Sequence, residues 1–160
     1  MLKIIFLVFL AFSVKAFPQG QEVKKINATD LKGLLHVNDH RLHVVNFWAT
    51  WCSPCVKELT GFEKAMEEYP ANKVSFLFVS LDFPSSYEKT LIPFIENRKI
   101  KSKVVLMTEQ DADSWIRMVN ENWQGNIPAT LIYNASSKKR IFHSSPLDYD
   151  ELKTLIEDNL

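Results

Sequence analysis

Apolar residues fall along the chain in two rhythms, and these predict strands and helices in alternation. Leu42 to Trp48 (LHVVNFW) and Val74 to Leu81 (VSFLFVSL) are short runs rich in β-branched and aromatic residues, as expected of strands buried on both faces. Between them Val56, Leu59, Phe62, Met66 and Tyr69 recur every three or four positions, predicting a helix that starts at Cys52 and stops near Tyr69-Pro70. Upstream, Val23 to Ile26 predicts a short strand, and Thr29-Asp30 before Leu31, Leu34 and Leu35 predicts a capped amphipathic turn. Downstream, a helix is expected within Ser85 to Lys99, kinked or started late by Pro93, then a strand at Val104 to Met107 and a short helix at Asp113 to Asn120. Ala129 to Tyr133 and Arg140 to His143 read as strands around the polar turn Asn134 to Lys139, and Asp148 caps a closing helix that runs to Asn159. Alternation followed by a hairpin predicts an α/β fold with a mixed central sheet flanked by helices.

A length of 160 residues with 46% hydrophobic content suits one domain, expected over residues 23–160. The start of the chain reads differently. Lys3, the apolar run Ile4 to Phe12 and then Val14-Lys15-Ala16 have the layout of a secretory signal, with cleavage after Ala16 and a short linker over residues 17–22. The run is about half of the roughly 20 residues a membrane-spanning helix needs, so no stable span is expected after cleavage. No Cys follows the run to accept a lipid. Without Lys3 and Lys15 the chain carries 17 basic and 19 acidic residues, a balance that does not invite nucleic acid or an anionic membrane surface.

The chemistry concentrates in Trp51-Cys52-Ser53-Pro54-Cys55, which holds both cysteines of the chain. As a structural staple the pair closes a loop of four residues, worth about 2 kcal/mol against about 4.7 kcal/mol for a 100-residue loop. A redox role fits the placement better. Exchange requires an accessible thiolate, and a free cysteine, with a pKa of about 8.5, is mostly protonated near neutrality. At a helix N-terminus the unpaired N–H groups and the dipole favour an anion, so Cys52 is expected to attack and Cys55, one turn in, to resolve. Pro54 suits the first turn, where its missing N–H costs nothing. A metal site is the competing chemistry, but there is no second CxxC, and His36, His40, His43 and His143 are scattered. No metal or cofactor is expected. The sequons Asn27-Ala28-Thr29 and Asn134-Ala135-Ser136 matter only in a eukaryotic secretory pathway and carry no weight here.

The run Val44-Val45-Asn46-Phe47-Trp48-Ala49-Thr50-Trp51-Cys52-Ser53-Pro54-Cys55, with Ile127-Pro128-Ala129-Thr130 downstream, resembles the thioredoxin superfamily from Val23 to the C-terminus. The resemblance implies a thioredoxin fold in which Pro128 is cis and faces the cysteines, leaving the Ile127 backbone to pair with an extended substrate. The long stretch before Pro128 is similar to the extracytoplasmic TlpA and ResA type, with a helix-strand insertion expected at Ser85 to Met107. Two departures concern the site. The buried Asp of thioredoxin proper is replaced by Asn46, which cannot titrate, whereas Glu58 matches a Glu of the TlpA and ResA type. By its residue type Glu58 reads as a solvated helix position, with proton handling as the alternative. The proline that type often places two residues after the Glu is Thr60 here, followed by Gly61. Trp51 packs at the rim or lines the substrate face.

The resemblance implies an exported, periplasmic reductase of specific protein disulfides, such as apocytochrome c in cytochrome c maturation, recharged by an upstream thiol-disulfide electron donor. A disulfide-forming oxidant and a metal-binding or metallochaperone module remain open. A thiol peroxidase would need Thr or Pro and Arg surroundings that are not visible near Cys52.

Overall fold

The computed structural model describes residues 22–160. The expected signal segment and all but the last residue of the expected linker lie outside the described residues. Among the described residues, no helix is long and apolar enough to cross a membrane.

Six strands make one sheet in the order β1-β4-β3-β2-β5-β6, with β1 at Lys24–Ile26, β2 at Leu42–Trp48, β3 at Val74–Ser80, β4 at Lys103–Met107, β5 at Ala129–Asn134 and β6 at Lys139–His143. The first four run parallel, β5 runs antiparallel to β2, and β6 runs antiparallel to β5. The expected insertion is present, and its strand β4 lies between β1 and β3. All seven residues of β2 are buried, as its continuous apolar run requires. Side chains alternate across the sheet. Val44, Trp48, Phe62, Phe78 and Leu106 pack on one face with helices α2 (Ser53–Glu68), α3 (Ile92–Arg98) and α5 (Tyr149–Glu157). Val45, Phe47, Val79, Val105 and Leu131 pack on the other with α1 (Ala28–Leu34) and α4 (Ile116–Val119). Asn46 shares the parity of Val44 and Trp48, so it faces α2.

Two elements differ in detail from expectation, and a third takes one of its two expected forms. Helix α1 is capped by Asn27, not at Thr29-Asp30. The Asn27 side chain accepts from the Asp30 N–H at 2.9 Å and the Asp30 carboxylate accepts from the Asn27 N–H at 3.2 Å, a reciprocal pair that starts the helix earlier. Pro93 starts α3 late. It has no N–H for the carbonyl one turn back, and the preceding turn, Tyr87–Leu91, is wound wide, with the Ile92 N–H reaching the Tyr87 carbonyl. The expected helix Asp113 to Asn120 is broken at the buried Trp115 into a single 3₁₀ turn, Ala112–Ser114, and α4.

The α2–α5 approach positions the site. A Cβ on Gly61 would lie 3.3 Å from the backbone and Cβ of Tyr149, the first residue of α5, so the glycine lets the two helices close.

Candidate active site

Strand β2 delivers the chain to the sheet edge at Trp48, the Cys52 N–H closes a turn onto the Ala49 carbonyl at 3.1 Å, and Cys52 is the N-cap of α2. Pro54 occupies the first turn. Cys52 and Cys55 form a disulfide with an S–S distance of 2.02 Å and Cα atoms 5.3 Å apart. The Cys55 N–H donates to Cys52 Sγ at 3.3 Å, one of the orphan donors of the helix start aimed at the outer sulfur. Cys52 is 6% exposed and Cys55 is fully buried, while Trp51 stands out at 61%. Ser53 and Pro54 are exposed beside them.

The Ile127–Pro128 bond is cis, and the Ile127 carbonyl oxygen lies 3.8 Å from Cys52 Sγ. Strand β5 makes this proximity possible: it pairs antiparallel with β2, setting Ala129 opposite Phe47 and Thr130 opposite Asn46.

Glu58 is not a solvated helix residue. It lies one turn past Cys55 on the apolar stripe of α2, 6% exposed. Its Oε1 accepts from Asn46 Nδ2 at 2.7 Å and its Oε2 from the Leu147 N–H at 2.9 Å. Asn46 Nδ2 also donates to Thr130 Oγ1 at 3.2 Å, whereas Asn46 Oδ1 is buried without a partner among the described residues. Burial raises the Glu58 carboxyl to about 7, partly offset by the hydrogen bonds from Leu147 and Asn46. A carboxyl that changes protonation near neutrality, one helical turn from a thiol, is suited to holding a proton during exchange.

A second buried carboxylate was not anticipated. Asp82, 2% exposed, follows β3 and accepts from the Thr50 N–H at 3.1 Å, from Thr50 Oγ1 at 2.5 Å and from Ser80 Oγ at 2.8 Å. It ties the loop carrying Trp51 and Cys52 to the end of β3. The available signal was its position: an acid closing a buried strand at the edge where the cysteines sit.

The four histidines bond elsewhere: His36 to the Lys32 carbonyl, His40 to Ser136, His43 to Asp39 and His143 to Ser145. Among the described residues, no group of three or more His, Cys, Asp or Glu side chains is placed to hold a metal ion.

A family model described as the AhpC/TSA family matches residues 9–139. The chain belongs to this family. Within it, the chain is similar to sporulation thiol-disulfide oxidoreductase A of Bacillus subtilis, 25% identical over 115 residues that cover 72% of this chain and 66% of that protein. It is also similar to the thiol-disulfide oxidoreductase ResA of Oceanobacillus iheyensis, 28% identical over 99 residues that cover 56% of this chain and 48% of that one. The chain therefore spans between about half and just under two thirds of these relatives' length. A thioredoxin-related protein from Neisseria meningitidis serogroup B superposes with a TM-score of 0.65 at 20% identity, over 77% of this chain and 87% of that one. That likeness establishes the thioredoxin fold.

Proposed function

We propose that the chain is an exported thiol-disulfide oxidoreductase that reduces disulfides of specific proteins. The observation that carries this reading is the Cys52–Cys55 disulfide at the start of α2, with Cys52 as the outer sulfur against the Ile127 carbonyl. In the reduced protein the start of α2 favours a thiolate at Cys52. That thiolate attacks one sulfur of a substrate disulfide, forming a mixed disulfide and releasing the other substrate sulfur as a thiolate. Cys55 then gives up its proton and attacks Cys52 Sγ, which breaks the mixed disulfide and reforms the Cys52–Cys55 bond. Two electrons pass to the substrate, and an upstream dithiol restores the reduced pair. Glu58 accepts the Cys55 proton in the second step, its carboxyl being neutral or charged near pH 7 at little cost. The carbonyl of Ile127, before cis Pro128, is available to an extended substrate strand, and Trp51, Ser53 and Pro54 form the rim. Export rests on the pattern of residues 1–16, and the periplasm is the compartment it implies.

Replacing Cys55 by Ser is expected to trap mixed disulfides through Cys52 that dithiothreitol releases. Trapping through residue 55 in the Cys52→Ser variant instead would reverse the assigned roles. Titration against glutathione and dithiothreitol buffers sets the direction: a potential near about −270 mV supports a reductant, and one near about −120 mV makes the protein an oxidant. Exported mature protein should begin at Phe17, as read by N-terminal sequencing.

A further inference from the structure

Among the described residues the exposed large hydrophobics are Trp51, Phe83 and the terminal Leu160. Scattered exposed apolar residues need no explanation, but the two internal ones each follow a residue of one bonded pair. Trp51 follows Thr50, Phe83 follows Asp82, and Thr50 is bonded to Asp82 through both its N–H and its hydroxyl. Thr50 is two residues from Cys52, at most roughly 7 Å of chain. Phe83, 67% exposed, borders a groove of about 400 Å³ whose walls include Leu81, Pro84, Met107 and Trp115, with Glu109 among its polar members.

This groove lies at the carboxyl ends of β3 and β4, beside the end of β2 that carries the cysteines. In open sheets of parallel strands that edge is where ligands collect. Its charge is one-sided. The charged residues that line it are Asp82 and Glu109, with no Lys or Arg among the lining. An apolar groove with an acidic surround fits a bulky apolar side chain flanked by cationic residues and disfavours an acidic segment.

We propose that the Phe83 groove receives a bulky apolar side chain, next to Lys or Arg, from the segment of a protein substrate that carries the disulfide presented to Cys52. The inference rests on the thiol-disulfide exchange proposed above and adds a substrate class to it. Phe83 and Glu109 act as specificity-determining residues, and Asp82 positions the rim through Thr50.

The test uses the full chain, recharged by dithiothreitol, and synthetic peptides whose single cysteine is joined to glutathione. Each turnover oxidises Cys52 and Cys55 to their disulfide and reduces the mixed disulfide to peptide thiol plus glutathione. One peptide series carries Phe flanked by Lys three residues from the cysteine, on either side; the others replace Phe by Ala or Lys by Glu. Oxidised glutathione serves as a disulfide with no segment to dock. The Phe/Lys peptides should show kcat/KM about tenfold above the Ala series and above the Glu series. In Phe83→Ser the ratio of kcat/KM for Phe/Lys peptides to that for oxidised glutathione should fall about tenfold, mostly through KM. Glu109→Lys should invert the preference between Lys and Glu. Equal rates across the peptides while oxidised glutathione is still reduced would overturn the groove and leave the exchange chemistry standing. If no disulfide of any kind is reduced, the functional reading falls and the groove with it. If Phe83→Ser instead turns a dimer into a monomer in sedimentation, with peptide rates unmoved, the face is a self-association surface and the proposal is overturned.

Discussion

Two buried carboxylates flank the disulfide, and they are held in different ways. Asp82 receives three kinds of donor, the Thr50 N–H, the Thr50 hydroxyl and the Ser80 hydroxyl, all from the ends of β2 and β3. Glu58 receives two, and its partners come from a strand in the middle of the sheet and from the chain just before α5. Asp82 is thus a tie between neighbouring strand ends, with its oxygens saturated by hydrogen bonds. Glu58 depends on the docking of α5 against α2 and has fewer donors to offset its burial, so its carboxyl is pushed up to about 7. The same functional group is saturated with donors in one place and pushed towards neutrality in the other, and the difference lies in the number and origin of the donors around it.

Removing the Asp82 tie should have the largest effect. Asp82→Ala strands the buried side of Thr50 and Ser80 and is expected to cost about 4 kcal/mol, read as a fall in the urea midpoint at unchanged slope. A loss under about 1 kcal/mol would mean that the strand ends hold together without the carboxylate.

The raised Glu58 carboxyl should show itself through pH. Its folded carboxyl is raised from 4.5 to about 7, so its contribution to stability is complete below about pH 4.5, shrinks as pH rises and is gone above about pH 7. The shift corresponds to about 3 kcal/mol between those limits. Urea midpoints of the parent measured against Glu58→Gln should therefore diverge over that window, the parent losing stability relative to the variant as pH rises. Ultraviolet titration of the reduced proteins should also place the Cys52 thiolate at lower pH in the variant, because a nearby negative charge has been removed. Superimposable curves in both measurements would reduce Glu58 to a packing residue.

The smallest effect should come from the glycine that lets the two helices meet. Gly61→Ala gains up to about 1 kcal/mol of helix propensity, but its new methyl must move the Tyr149 backbone by a few tenths of an ångström. The gain and the displacement should nearly cancel in thermal stability. The Leu147 hydrogen bond to Glu58 should lengthen, raising the Glu58 pKa further, as followed by carboxyl NMR or infrared titration. A lower Glu58 pKa would show that Leu147 is not held through α5.

The cysteine pair and the central strands were legible because their signals are local. LHVVNFW lies wholly within one buried strand, and the CxxC spacing places both sulfurs on the first turn of a helix. Glu58 was half legible. Its position, three after Cys55 and four before Phe62, put it on the apolar stripe, but its charge argued for solvent, and only the sheet supplies Asn46 beneath it. Asp82 offered only its position at the end of a buried strand, since its main partner, Thr50, is 32 residues away. The cap of α1 was displaced for a simpler reason: Asn27 and Asp30 satisfy each other, a reciprocity that outweighs Thr29 as a helix start.

Asn46 Oδ1, without a partner among the described residues, bears on how Glu58 could take up and release a proton. With Glu58 ionised, the amide presents its hydrogens, as the 2.7 Å bond from Nδ2 to Oε1 records. Turned over by half a rotation, the same amide presents Oδ1 to the hydroxyl of a protonated Glu58, and Thr130, whose hydroxyl both donates and accepts, follows either orientation. An aspartate in this place would repel one of the two states and a leucine would serve neither. Asparagine makes the pair ambidextrous, so a proton can arrive and leave without any hinge in the backbone having to move.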